Sequence, residues 1–154
     1  MNKRRIEQMI PLAITVLQEK ELKILEDGII KKAWRGQLAA FGATVATGSL
    51  LAATAFFAKQ GNAEVDRAKL SKAIYEVMKK YQSEQGQDMR SADSLLHFVQ
   101  CVLVTEPAHK QAMKEVVLDA ATALKLAMNL FIAEEKDDKV ASNQVVGHGG
   151  EGQV

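Results

Sequence analysis

Cysteine, proline and aromatic side chains are all scarce in this chain: its 154 residues include one Cys, two Pro and 5% Phe, Trp and Tyr. A lone cysteine, Cys101, cannot close an internal disulfide, and no CxxC or Cys/His spacing offers a zinc site. Cysteine usage therefore points to a reducing compartment, most simply the cytoplasm. Cys101 itself lies in an apolar run and is read as a packed core residue. Few prolines leave long helices uninterrupted, and no period-two run between turn signals suggests a sheet. Ala, Leu, Lys, Glu and Gln dominate instead, and unbranched side chains of this kind lose little rotamer freedom on a helix.

The length suits one domain with a proper core. Net charge is also lacking, at only +1, but it is unevenly spread along the chain. Residues 1–80 carry fourteen Lys/Arg against eight Asp/Glu, and residues 81–154 six against eleven. Such asymmetry hints at a polyanionic partner for one side of the molecule.

Hydrophobic periodicity predicts an all-α, single-domain bundle of about six helices over residues 1–135, followed by a disordered tail over 136–154. The first helix, 2–23, carries Ile6, Met9, Ile10, Ala13, Val16 and Leu17, with Pro11 marking a kink or the regular start. Glu26-Asp27-Gly28 is a break. A second helix is expected over 29–47 and a third over 49–60, with Gly61-Asn62 as the next turn. The fourth spans 63–82, with Leu70, Ile74, Val77 and Met78 on one face and Lys69, Lys72 and Lys79 on another. Ser91 is the expected cap of a fifth helix reaching residue 104, apolar enough to be central to the core. Pro107 opens the sixth, 107–134, along which Met113, Val117, Ala120, Leu124, Ala127 and Phe131 form a stripe widened by Val116, Ala123, Leu126 and Leu130. The tail ASNQVVGHGGEGQV is glycine-rich and nearly free of bulky residues.

Residues 38–58 hold no formal charge over 21 positions, which meets the length test for a membrane span. Gly42, Gly48, Thr44, Thr47, Ser49 and Thr54 weaken that reading. Thr47-Gly48-Ser49 reads as a C-cap glycine followed by an N-cap serine, dividing the segment into two shorter buried helices. Met1-Lys3-Arg4-Arg5 is followed by Glu7 rather than the apolar core of a signal peptide.

No catalytic constellation stands out. The chain has no P-loop, no nucleophile elbow and no GxGxxG. His97, His109 and His148 lack the neighbours that would make a metal site. The pair Glu115 and Asp119 is read as a solvated face, and Gly36, Gly42 and Gly48 as sites of close helix packing. Neither an enzyme nor a cofactor is expected, and binding is the expected mode of action. Lys31, Lys32, Trp34 and Arg35 cluster at the start of a helix otherwise free of charge. Lys and Arg neutralise phosphates, an indole can stack on a base, and helix N-terminal amides attract anions. The competing reading is a solvated first turn with Trp34 in the core.

With these residues laid out, the chain resembles the small subunit of the type III-B CRISPR effector, the Cmr complex. KRRIEQMIPLA, WRGQLAAFGATVATGSLLAATAFFAKQ and AEVDRAKLSKAIYEVM carry the resemblance, which covers about residues 3–135. It implies a non-catalytic helical subunit, present in several copies as a filament, that lines the channel holding CRISPR RNA and target RNA. Such subunits touch RNA backbone phosphates while neighbouring subunits of the complex cut. Carried onto this chain, the implied contacts are Lys31, Lys32, Trp34, Arg35 and Lys59, with Arg4, Arg5 and Lys72 as further candidates. The chain departs from the family in being nearly neutral overall. A protein-only helical adaptor and a membrane protein spanning 38–58 are the rival expectations.

Overall fold

A computed structural model describes residues 1–59, 64–87, 89 and 92–134. Among the described residues six helices carry the architecture: α1 (Lys3–Leu17), α2 (Lys32–Thr47), α3 (Leu50–Ala58), α4 (Arg67–Glu84), α5 (Leu95–Leu103) and α6 (Pro107–Met128). Three two-residue strands accompany them: β1 (Leu25–Glu26), β2 (Ile29–Ile30) and β3 (Ile132–Ala133). The expected all-α, single-domain fold of about six helices is what the described residues form, with one small three-stranded sheet added to it. The expected tail over 136–154, the turn at Gly61-Asn62, Ser91 and His148 lie outside the described residues.

Helix α1 begins at Asn2, whose side-chain oxygen accepts the Arg5 N–H at 3.1 Å, satisfying one of the four donors a helix start leaves open. Ile6, Met9, Ala13, Val16 and Leu17 then recur at helical spacing and are all buried, against α6 above all and against α4. Pro11 sits on the exposed side, and the helix runs through it. Its missing N–H faces a side where water can serve the orphaned carbonyl. The helix ends at Leu17, six residues before the expected boundary.

The sheet is the element the periodicity does not reveal. Asp27 (φ 53°) and Gly28 (φ 76°) both take left-handed backbone between the antiparallel pairs Leu25–Ile30 and Glu26–Ile29. Two central residues with positive φ define the hairpin turn that matches strand twist, and Asp-Gly is a preferred dipeptide for it. The break at Glu26-Asp27-Gly28 is thus a hairpin, and the second helix starts at Lys32 rather than Ile29. The strand β3 adds to β2 in parallel, with Ile29 opposite Ile132, and the Glu134 N–H donates to the Ile30 carbonyl at 2.9 Å. The sixth helix therefore stops at Met128, short of the expected Glu134.

The apolar segment 38–58 divides as the Thr47-Gly48-Ser49 signal predicts. Gly48 closes α2 through its N–H to the Thr44 carbonyl at 2.9 Å, and the Ser49 hydroxyl accepts the Ala52 N–H at 3.0 Å. A Cβ on Gly48 would stand 2.9 Å from the Thr44 carbonyl oxygen, a distance real side chains do not tolerate. Phe41 and Phe57 are fully buried and meet edge to face at 5.2 Å, so the two helices fold back on each other. Among the described residues no helix is long and apolar enough to cross a membrane. Gly36 and Gly42 do not mark close packing, because a Cβ on either would meet nothing within 4 Å. Exposed Gly36 lies inside a helix where glycine is about 1 kcal/mol worse than alanine. Gly36→Ala is accordingly expected to raise stability by about 0.5–1 kcal/mol, read as a higher midpoint of urea unfolding with unchanged slope.

At α5 the expectation reverses. Its cap is Ser94, whose hydroxyl accepts the His97 N–H at 3.2 Å. Only Leu95, Val99 and Val102 are buried, and the helix packs chiefly on α3, with its remaining apolar residues half-buried or exposed. Cys101 faces solvent. On α6, Val117, Ala120, Leu124 and Ala127 of the expected stripe are buried together with Val116 and Ala123. Leu126 and Leu130 instead are exposed. The position expected to be solvated, Asp119, is fully buried. Its two carboxylate oxygens accept the Asn2 N–H at 3.2 and 3.3 Å, and one lies 3.4 Å from the Arg5 guanidinium.

Candidate nucleic-acid interface

Three lysines from three distant segments converge beside the N-terminus of α2. Lys23, in the turn before β1, Lys31, the residue before α2, and Lys69, in the first turn of α4, line one cavity of about 180 Å³. Lys23 is held there by left-handed backbone at φ 50°. No side chain caps the start of α2, and no acidic residue lies in its first turn. No residue of the helix's own first turn compensates the partial positive charge of that end. Lys31 and Lys32 are both exposed.

Carboxylates share the cavity wall. Glu26, Glu64 and Asp66 also line it, although Asp66 is engaged as the cap of α4, accepting the Ala68 N–H at 3.0 Å. The cavity is thus balanced in charge, three lysines against three carboxylates, and Lys32, exposed beside Lys31 at the start of α2, does not line it. Among the described residues no carboxylate comes within ion-pair distance of Lys23, Lys31, Lys32 or Lys69.

Trp34 borders this cavity but is only 4% exposed. Its indole is core, as the competing reading of the first turn expects, and no ring face is free for a base to stack on. Arg35 is also committed to the fold. Its guanidinium donates to the Met128 carbonyl at 2.8 Å and reaches the Phe131 carbonyl at 3.5 Å, supplying the orphan acceptors at the end of α6. Arg5 is held by Asp119. Arg4 is exposed on the first turn of α1 and Lys59 is exposed at the end of α3; neither lines the cavity. Lys72 is exposed and stands 3.9 Å from Glu21, too open a pair to fix either side chain. The structure thus brings Lys31 together with Lys69 and Lys23 on one cavity, with Lys32 next to Lys31 in the chain, while Arg4, Lys59 and Lys72 do not line it. Lys23 has no signal in linear spacing. Only the Asp27-Gly28 hairpin, which folds the 23–30 segment against α2, places it.

The remaining chemistry-bearing side chains do not cluster. Among the described residues there is no group of three His, Cys, Asp or Glu placed to hold a metal ion. His97 is exposed and its Nδ1 lies 3.0 Å from Asp93. Hydrogen bonds from His97 and then Ser94 hold the Asp93 carboxyl below its ordinary range. The Tyr75 hydroxyl donates to the Ala92 carbonyl at 2.6 Å, tying α4 to the segment before α5. Burial, with Glu76 and Asp93 adding to it, pushes the Tyr75 phenol above its ordinary value. The folded chain thus keeps this proton longer than the unfolded chain. The associated stability is intact below about pH 10 and declines as pH rises through the folded value. In an alkaline titration followed by phenolate absorbance, Tyr75→Phe is expected to remove a component lying above that of free tyrosine. A wild-type curve without such a component would contradict the burial of this phenol beside Glu76 and Asp93.

No family model matches the chain, and neither the curated proteins nor the solved structures include a match.

Proposed function

We propose that the chain is a non-catalytic, RNA-binding small subunit of a cytoplasmic type III-B CRISPR ribonucleoprotein. In this reading it lines the guide and target RNA channel through backbone contacts and stacks with copies of itself and with other subunits of the complex. The observation that supports it most is the exposed Lys31-Lys32 pair at the uncapped start of α2, with Lys69 and Lys23 sharing a cavity with Lys31. Beside that pair, α2 exposes Gly36, Ala39, Ala40 and Ala43, small residues over which a sugar-phosphate backbone can come close. The attraction is electrostatic and independent of sequence, leaving specificity to base pairing between guide and target. The resemblance of WRGQLAAFGATVATGSLLAATAFFAKQ to the Cmr small subunit supplies the identity of the complex. Exposed apolar residues support the stacking: Ile29 and Ile132 are paired across the sheet, and Leu130 stands nearby in the chain, at 67% exposure.

Trp34, Arg35 and Arg5 leave the contact set because the fold occupies them. Lys31, Lys32, Lys69 and Lys23 form the revised core of it, with Lys59, Arg4 and Lys72 as outlying cations. A second reading, a helical adaptor that binds only protein, is favoured by the same exposed apolar residues. Fluorescence anisotropy with a labelled single-stranded RNA separates the two. Binding is expected to weaken at least about tenfold in Lys31→Glu/Lys32→Glu. The slope of log affinity against log salt is expected to flatten by about 0.7 for each phosphate that is no longer neutralised. Wild-type affinity in that double variant, or none in the wild type, rejects RNA binding by these lysines and leaves the adaptor.

A further inference from the structure

A second concavity, remote in sequence from the α2 lysines, has a different chemistry. Residues from the start of α3, the end of α5 and the first two turns of α6 enclose a groove of about 470 Å³. Its floor is apolar, built by Leu50, Leu51, Val99, Val102 and Leu103. The floor is open to solvent at Leu103, 40% exposed, and the apolar surface runs on past the groove at its neighbour Val104, 88% exposed. A surface that outgrows its cavity in this way suits a macromolecule better than a small ligand.

The wall supplied by α6 is cationic. Lys110 and Lys114 are one turn apart on the same face and both line the groove. Among the described residues, neither has a carboxylate within ion-pair distance. The first turn of α6 contains no acidic residue, and Glu106 before it does not line the groove. All three walls are helical, so no strand edge is present to which an extended peptide could add. A partner entering this groove must satisfy its own backbone hydrogen bonds, which a helix does.

We propose that this groove receives an amphipathic helix of another protein, one whose apolar stripe is flanked by carboxylates. The apolar side chains cover Leu50, Leu51 and Leu103, and the carboxylates meet Lys110 and Lys114. Charge complementarity sets the orientation and apolar burial supplies the affinity. This site goes beyond RNA binding and uses none of the α2 lysines.

Two helical peptides test it, each with leucines at i, i+3, i+4 and i+7 and flanked by either glutamates or lysines. The full chain is expected to bind the glutamate peptide saturably by fluorescence anisotropy and at least about tenfold more tightly than the lysine peptide. Lys110→Glu/Lys114→Glu is expected to reverse that preference, and Leu103→Ser, at a solvent-accessible position, to weaken both peptides. In the Lys110→Glu/Lys114→Glu variant, affinity for single-stranded RNA is expected to stay within about twofold of wild type, which keeps this test separate from that of the α2 lysines. Equal binding of the two peptides, or no change in the lysine variant, overturns the proposal. So does sedimentation showing a dimer that Leu103→Ser dissociates, because the groove is then filled by a second copy.

Discussion

Asp119→Ala is expected to lower the unfolding free energy by about 3–5 kcal/mol, the range for breaking a buried ion pair by removing one partner. The carboxylate is fully buried on α6, accepts the Asn2 N–H through both oxygens and stands 3.4 Å from the Arg5 guanidinium. It also faces the positive end of the α1 dipole, which adds to its stabilisation there. Its pairing with Arg5 is ionic rather than an aligned hydrogen bond, since the buried Nη1 has no hydrogen-bonding partner among the described residues. Removing the carboxylate leaves that buried nitrogen without its counter-charge and the Asn2 amide without its acceptor, at the most extensive helix pairing among the described residues. Urea unfolding followed by circular dichroism reads the loss. Arg5→Ala, which leaves the acid buried, is expected to act in the same direction, and the double variant to lose less than the two single losses combined. A loss under about 1 kcal/mol for Asp119→Ala, well below the buried-pair range, would mean that α1 is not anchored to α6 by this side chain.

Phe57→Ala is expected to remove a similar amount, about 3–5 kcal/mol, through lost burial and the cavity left behind. Phe57 is inaccessible to solvent and meets both Phe41 of α2 at 5.2 Å and its neighbour Phe56 at 5.5 Å, each edge to face. Arg67 stacks over Phe56 with its guanidinium carbon 4.4 Å from the ring centroid, which extends the cluster to the start of α4. The variant separates the two fates open to the uncharged segment 38–58. If α2 and α3 fold back on each other, truncating Phe57 lowers the urea midpoint sharply in detergent-free buffer. An unchanged midpoint would mean that this ring is not packed against α2.

Helix existence is legible in the sequence, and helix surroundings are not. The 3.6-residue period finds all six helices, and Thr47-Gly48-Ser49 finds the break between α2 and α3, because capping chemistry is local. The same period shows that a face is apolar without showing what covers it. Leu126 on α6 and Leu130 just past its end continue the apolar spacing but are exposed, and α5, apolar on nearly every side, buries only Leu95, Val99 and Val102. Burial of Asp119 depends on Asn2 and Arg5 at the far end of the chain, where no spacing rule reaches. The strands escape because two residues cannot express a period of two; the Asp27-Gly28 dipeptide is their one local signal.

The candidate site divides along the same line. Clustering of Lys31, Lys32, Trp34 and Arg35 is visible in the sequence, and α2 does begin there. The sequence does not show that Trp34 turns inward and that Arg35 reaches across to the end of α6. Their places beside Lys31 are taken by Lys23 and Lys69, which only the hairpin and the start of α4 bring near.

The most direct test of the proposed function is to express the chain within a type III-B effector complex carrying guide RNA and to isolate the RNA-bearing particle. The chain is expected to co-purify with the particle, and Lys31→Glu/Lys32→Glu to reduce its occupancy or its protection of the RNA backbone. A particle that assembles with its guide RNA but without this chain would contradict the proposed role.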